Sequence, residues 1–461
     1  MSVYTLNLEL NVEIYQKHII DKRMEILRKL YNSLLHELDK RYQRMLKVEN
    51  FNIKKNKEIL LEKYGISYQE IYDFALPIQK HFSKNINMEM MVTIVKKCLN
   101  QYKKSILCDR KKHYIKFGRF NCFEIKANCK SFVFKNMIVD WAGLKLSCKS
   151  PLNSYQSKAL KSKICYYGIY RRKIRAKNKY YLRLILIGKP PLKDKFNINC
   201  YPKSPVGIDI GNQTIAISTL NLVKLEELCS NINLIDKQIK NRINKYNRQK
   251  IINNQNILNN NVKTVRFSWY KSKKMKKTKL ELAELHRKYY DLRKQSHEKL
   301  ANYIISLGDI FFIEDMNFRE VYCNSIKKYK KNKVNSTIRK SNLTNRSPSL
   351  LVNILVKKLS YTNKKIYKVN PFKVKASQYN HLTNKFEKKS LSERWNYFGG
   401  YTIQRDLYSA FLLMNIKITN LDEINRDLCI KNFNNFKKMH DMEIKNLSTS
   451  GKKLNKNFGI H

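Results

Sequence analysis

The chain is 461 residues long, enough for two to four domains at about 100–200 residues each. It carries 93 Lys and Arg against 36 Asp and Glu, a formal net charge of +57, with 43% hydrophobic and 11% aromatic residues. That balance excludes a disordered basic tail, because real cores can be built, and it excludes an ordinary metabolic enzyme, which has no use for such a cation excess. A polyanion partner is indicated: each phosphate neutralised by Lys or Arg releases condensed counterion, the sequence-independent part of nucleic-acid affinity. Biased base composition inflates Lys, Asn, Ile and Tyr together, yet does not make cations outnumber carboxylates by more than two to one.

A membrane role is not expected. The longest apolar runs, Tyr181–Gly188 and Ala410–Met414, fall short of the ~20 residues that span a bilayer. Met1–Leu10 lacks a basic stretch followed by an apolar one, so no secretory signal is expected. Ten Cys are scattered singly without any CxxC, which suits a reducing cytoplasm, with the chain nucleoid-associated, and argues against a disulfide framework. No GxGxxG or P-loop pattern occurs, so dinucleotide and ATPase readings fall away.

In chain order, Tyr4–Leu10 alternates as a strand, and from Val12 the pattern turns helical to about Tyr102, with breaks near Gly65 and Pro77. Short strands are predicted at Tyr114–Phe120, Cys122–Lys126 and Lys130–Phe134, then a hairpin of Tyr166–Lys177 and Tyr180–Ile187 turning at Asn178. Pro190, Pro191, Pro202 and Pro205 mark a boundary. Beyond it come strands Val206–Ile210 and Ile215–Thr219, and two long basic helices from about Leu222 to Tyr303 joined by Asn253–Asn261. A buried-type strand follows at Ile310–Ile313, then a basic loop over Lys327–Ser349, a helix at Leu350–Leu359, a strand at Lys365–Val369 and a helix at Asp406–Asn415. Strands alternating with helices from Val206 onward form an α/β signature. The Lys-rich chain after about Asn432 reads as a loosely held tail.

In so basic a chain the carboxylates are informative. Asp209 ends a Val-Gly-Ile run, Glu314 follows Ile-Phe-Phe-Ile, and Asp406 opens a helix. Taken singly, Asp209 reads as a turn residue, Glu314 as a loop acid and Asp406 as a helix N-cap. Taken together, acids at strand ends and a helix start can converge at one edge of an α/β sheet. Such a cluster repels itself unless cations join it. Oxygen ligands of this kind suit Mg²⁺ or Mn²⁺, and two such ions about 3.5–4 Å apart promote phosphodiester hydrolysis.

Three motifs resemble a family. Val206-Gly-Ile-Asp-Ile-Gly211, Phe312-Ile-Glu-Asp-Met-Asn-Phe318 and Gln404-Arg-Asp-Leu-Tyr-Ser-Ala410 are similar to the three RuvC motifs of TnpB, the transposon-encoded relative of type V CRISPR effectors. The basic helix Lys273–Tyr303, with His286 and His297, and the N-terminal Tyr4–Leu10 with Tyr31-Asn32 fit the same plan. The resemblance covers residues 1–20 and most of 165–415. It implies a multidomain α+β chain: an RNase H-like (RuvC) α/β nuclease domain with helical insertions, preceded by a helical recognition domain and a β-rich wedge domain. The implied layout is a first wedge strand at 1–10, recognition domain 11–104, wedge 105–204 and nuclease domain 205–430, with a helical insertion at 222–303 and a ribbon at 376–402. A basic tail, 431–461, closes it.

The resemblance further implies an RNA-guided, metal-dependent DNA endonuclease, with Asp209, Glu314 and Asp406 as catalytic ligands of two Mg²⁺ or Mn²⁺ ions. Its partners would be target DNA and a guide RNA from the transposon end, with a monomer favoured. A DNA-strand-transfer transposase acting in transposition and recombination, and a guided DNA-binding protein that does not cut, are the alternatives. The family places a four-Cys zinc ribbon between its second and third motifs. Here Asn380, Thr383, Tyr397 and Gly400 stand about where the thiolates belong, and His381 alone cannot hold zinc. A metal-free hairpin packed by Tyr379, Trp395 and Phe398 is therefore expected, with no structural zinc. For nucleic-acid contact the candidates are Arg171, Arg172, Lys173 and Arg175 beside Tyr170 on the hairpin, Arg405 as a phosphate contact or an ion-pair partner of Asp406, and the runs Lys271–Lys277 and Lys327–Lys333. The hairpin residues read about equally as a solvated basic strand, with the aromatic interleaving tilting them toward RNA, and the two runs read as phosphate-facing, though a charge run is often just a solvated face. Cys108 with His113 lacks the companions a metal site requires.

Overall fold

The structure, a computed structural model, describes residues 2–48, 57–107, 114–191, 204–254, 270–318, 320, 345–362, 364–388, 390, 393–398, 400–451, 454 and 456–460. The chain divides into two units, residues 1–193 and 194–461. Cys108, His113 and the run Lys327–Lys333 lie outside the described residues.

The first unit begins with β1 (Val3–Asn11), whose Tyr4, Leu6, Leu8 and Leu10 point to the core while their neighbours face out. Four helices follow: α1 (Ile14–Val48), α2 (Lys57–Lys63), α3 (Tyr68–His81) and α4 (Met88–Leu107). Ile20, Met24, Leu27, Tyr31, Leu34 and Leu38 form the buried stripe of α1 at the three-to-four spacing of an amphipathic helix. Gly65, at φ 68°, does break the chain between α2 and α3. Pro77 does not: it lies within α3, which starts at an N-cap, Ser67 accepting from the Glu70 N–H.

Next come β2 (Cys122–Lys126), β3 (Phe132–Lys135), β4 (Ile138–Trp141), β5 (Leu144–Cys148), α5 (Ser154–Ala159), β6 (Ile164–Ile174) and β7 (Lys177–Ile187). The strands form one sheet in the order β2-β6-β7-β1-β5-β4-β3. Tight turns at Asn136-Met137, Ala142-Gly143 and Arg175-Ala176 all place both central residues at positive φ, the turn that matches the twist of flanking strands. The hairpin therefore turns two residues before the expected Asn178. Described residues in Tyr114–Phe120 form no strand, while β4 and β5 were not foreseen. Helices and strands share a single hydrophobic core. Arg23 of α1 joins them, donating to the Trp141 and Ala142 carbonyls with its guanidinium over the Trp141 ring.

The second unit opens with β8 (Pro205–Ile210), β9 (Thr214–Ser218) and β10 (Val223–Glu227). The last is a correction: helix was expected from Leu222, but Val223 and Leu225 alternate inward and pair with β9. Helices α6 (Asn233–Ile252) and α7 (Lys273–Ser306) follow, then β11 (Ile310–Glu314), α8 (Pro348–Leu359), β12 (Lys365–Val369) and a short α9 (Pro371–Val374). Two small hairpins come next, β13 (Tyr379–Asn380) with β14 (Lys385–Phe386) and β15 (Trp395–Phe398) with β16 (Tyr401–Gln404). The unit ends with α10 (Arg405–Met414) and α11 (Arg426–Thr449).

The central sheet runs β10-β9-β8-β11-β12; β9 is antiparallel to β8 and β10, and β8, β11 and β12 are parallel. Val206, Ile208, Phe311 and Ile313 face a core made with α8 and the end of α7, while Ala216, Phe312 and Val369 face α10 and α11. The expected loose tail is thus overturned. Cys429, Phe433, Phe436 and His440 form a buried stripe on α11, and Phe458 is buried beyond it.

Candidate active site

The sheet fixes two of the acids by register alone. Gly207 pairs with Phe312 and Ile208 with Ile313 on parallel strands, so the next residues, Asp209 and Glu314, are neighbours on strands about 4.8 Å apart. Alternation puts them on the face of Gly207 and Phe312, the one covered by α10. Both strands end here, and the carboxyl ends of parallel strands are where α/β sheets open a crevice.

The third acid comes from above. At Gly207 a Cβ would collide with the Ala410 carbonyl oxygen and the Met414 nitrogen of α10, so a residue without a side chain is what lets the helix lie on the strand. From there Asp406 lies four residues back along the helix, about 6 Å, and Asp209 two residues on along the strand, about 6.6 Å. The charge of Asp406 is felt at Asp209, as expected if the start of the helix lies toward the end of the strand.

The electrostatics agree with that construction. Burial pushes the Asp209 carboxyl well above the ordinary carboxylate range, the charges of Glu314 and Asp406 add to the rise, and Arg405 and Arg394 oppose it. Burial also pushes Glu314 up. Asp406 sits with Arg394 Nη1 at 3.8 Å and Arg405 Nε at 3.5 Å, both longer than a good hydrogen bond. Among the described residues no three His, Cys, Asp or Glu side chains are drawn together closely enough to enclose an ion as they stand. The donor set nevertheless fits a hard divalent cation. It is oxygen-only, it comes from three rigid elements, and its mutual repulsion is what a cation relieves.

The start of α10 is anchored from α11. Gln404, the helix N-cap, accepts from the Leu407 N–H, and its own backbone N–H donates to His440 Nε2 at 3.0 Å. The His440 proton is therefore on Nδ1, which faces the Asp441 carboxylate at 2.9 Å. Burial lowers the His440 pKa although Asp441 opposes it. Neither His440 nor Arg394 was singled out from the sequence. For His440 the signal was the spacing 429, 433, 436, 440; for Arg394 the sequence carried none, since it reaches the site through the β15–β16 hairpin, where its carbonyl accepts the Arg405 N–H.

The ribbon positions are held by other means. Asn380 is buried and its Oδ1 accepts from the Leu382 and Thr383 N–H groups; Tyr397 is exposed. Tyr379 and Phe398 pack into the core and Trp395 is half-buried, its Nε1 donating to the Gly459 carbonyl. His381 is buried among Tyr408, Phe411 and Phe433, with burial lowering its pKa to about 4.

The basic candidates divide. Arg171 is turned inward, paired with Asp21 at 2.6 Å and donating to Asn121 and the Phe120 carbonyl, so its guanidinium is committed within the first unit. Arg172 is half-buried, and Lys173 and Arg175 are exposed at the hairpin end. Arg405 is buried, donating to the Ser390 carbonyl beside Asp406, the ion-pair alternative. Lys271, Lys273, Lys274, Lys276 and Lys277 are exposed around the start of α7. Among the described residues no helix is long and apolar enough to cross a membrane.

No protein-family model matches the chain, and no curated protein matches it in sequence. Solved structures do. A Cas12f1–sgRNA–target DNA complex shares 12% identity at a TM-score of 0.47, covering 90% of this chain and 99% of that one. A CRISPR–Cas12f ternary complex shares 15% at 0.29, covering 87% and 82%. A Cas12i–crRNA–double-stranded DNA complex shares 10% at 0.29, covering 92% and 64%. At such scores and identities, function is argued from the residues.

Proposed function

We propose that the chain is an RNA-guided DNA endonuclease of the TnpB type, hydrolysing phosphodiesters at Asp209, Glu314 and Asp406. What supports this reading is the β8–β11 register, which makes Asp209 and Glu314 neighbours, together with the charges of Glu314 and Asp406 that add to the rise of the Asp209 pKa. The sheet order, three antiparallel strands continued by two parallel ones, supports an RNase H-like nuclease domain. Two divalent ions, Mg²⁺ or Mn²⁺, when bound supply water activation and stabilisation of the leaving 3′ oxygen. The chain's own part is to hold three carboxylates on rigid elements and to set the charge around them with Arg394 and Arg405. A net charge of +57 suits a protein that grips guide RNA and displaced DNA strands through their backbones.

The second reading, a guided DNA-binding protein that does not cut, is favoured by the two arginines already lying at Asp406. The experiment that separates them is to purify the protein with its bound RNA, sequence that RNA and offer matching DNA with Mg²⁺. Cutting by the wild type and none by Asp209→Ala supports the nuclease. Binding without cutting by either supports the second reading, and equal cutting by both removes the assigned site.

A further inference from the structure

A cavity of about 190 Å³ opens at the end of β11, and Glu314 is one of the residues that line it. Side chains alternate along a strand, so Ile313 turns away from the acids and packs in the core made with α8. Lys368 of β12, the register partner of Ile313, shares that side. The Asp315 N–H continues the ladder to the Val369 carbonyl, and the Asp315 carboxylate meets Lys368 Nζ at 3.0 Å. The first turns of α8 add a further wall through Ser349, Val352 and Asn353. The cavity thus lies at the carboxyl ends of two parallel strands, where α/β sheets receive ligands, and it shares Glu314 with the acid cluster.

The lining narrows the class of ligand. Ile313, Phe318 and Val352 make it partly apolar, which suits a flat ring and offers nothing to a phosphate. Asp315 and Lys368 neutralise each other, so no cationic excess draws an anion in. The volume is below the roughly 300–1,000 Å³ of pockets for drug-sized ligands and leaves room for a single planar ring system. Asn353 is exposed, and among the described residues its amide has no hydrogen-bond partner. One donor and one acceptor therefore stand ready, the pair with which an amide reads the edge of a base. We infer that this cavity receives a nucleobase of the DNA strand being cut, from a nucleotide beside the scissile phosphate, and that Asn353 makes the site selective for that base. The inference rests on the proposed nuclease reading of the three acids.

The test takes the full-length protein with its bound RNA and Mn²⁺, and matching DNA duplexes that differ only in the nucleotides flanking the mapped cut. The wild type is expected to favour one base at one flanking position by about tenfold in cutting rate. Asn353→Ala should bring that ratio to within about twofold. Ser349→Trp, which fills the cavity from an exposed position, should do the same. A ratio between substrates does not move when stability alone is lost, and thermal melting confirms that each variant is folded. An unselective wild type, or selectivity retained by either folded variant, overturns the pocket while leaving the nuclease reading intact. A wild type that cuts nothing removes the nuclease reading instead. The cavity is then judged by irradiating the complex on a strand substituted with 5-iodouracil. A crosslink to Met316 or Phe318 supports a base in the cavity, and crosslinks confined to other residues remove that claim as well.

Discussion

Asp209 lies desolvated beside two other acids, and burial with their charge raises its pKa above the ordinary 3.8. Folding therefore opposes its ionisation. The group's contribution to stability is complete below that ordinary value and is lost as pH rises through the raised one. In metal-free protein, Asp209→Asn is expected to melt at a higher temperature than the wild type near pH 7, with the gap closing toward pH 4; a variant no more stable at pH 7 contradicts the crowding of charge. His440 makes an opposite case. It is neutral, buried and accepts the Gln404 N–H at the start of α10. His440→Ala leaves that donor without its partner and is expected to cost about 1–3 kcal/mol in urea unfolding, while an unchanged midpoint would show that α10 is anchored otherwise.

Among the elements, the contact of α10 on β8 decides whether the acids meet. Gly207→Ala puts a Cβ into the Ala410 carbonyl and the Met414 nitrogen, backbone atoms that cannot swing aside. The expected cost is at least about 1–3 kcal/mol of stability, with the proposed nucleolytic activity lost in protein that is still folded at low temperature. Normal stability and activity would mean that the helix does not lie against this strand. These elements were legible in the sequence because Val206–Ile210 is a short apolar run interrupted only by Asp209 and Ile310–Ile313 one followed directly by Glu314, and because α10 carries its apolar stripe from Leu407 onward. Other elements were not. Lys224-Leu-Glu-Glu227 has helix-forming composition yet pairs with β9 because Val223 and Leu225 have a core to face. The Arg175-Ala176 turn carries no Asn or Gly to announce it. α11 reads as tail because only every third or fourth residue is buried. The pairing of Arg394 with Asp406 depends on a hairpin register, which local pattern does not encode.

At the scale of the whole molecule, charge dominates. With +57 formal charges, and exposed lysines around the start of α7, nucleic-acid affinity is expected to fall steeply with salt. Contact with six or more phosphates gives a log–log slope of about −5 or steeper on duplex DNA, measurable by fluorescence anisotropy between 50 and 200 mM KCl, taken as about a fourfold range. A slope near −1 would remove the backbone-gripping account. In so cationic a chain, the proposed site would make these three acids the negative point at which divalent ions gather. The most direct test of their shared site is calorimetric Mn²⁺ binding to wild type, Asp209→Asn, Glu314→Gln and Asp406→Asn, each checked for folding. The acids acting as one site predict that every substitution weakens the same binding event by tenfold or more, an order-of-magnitude loss of about 1.4 kcal/mol. Full binding retained by any one of the three folded variants would contradict it.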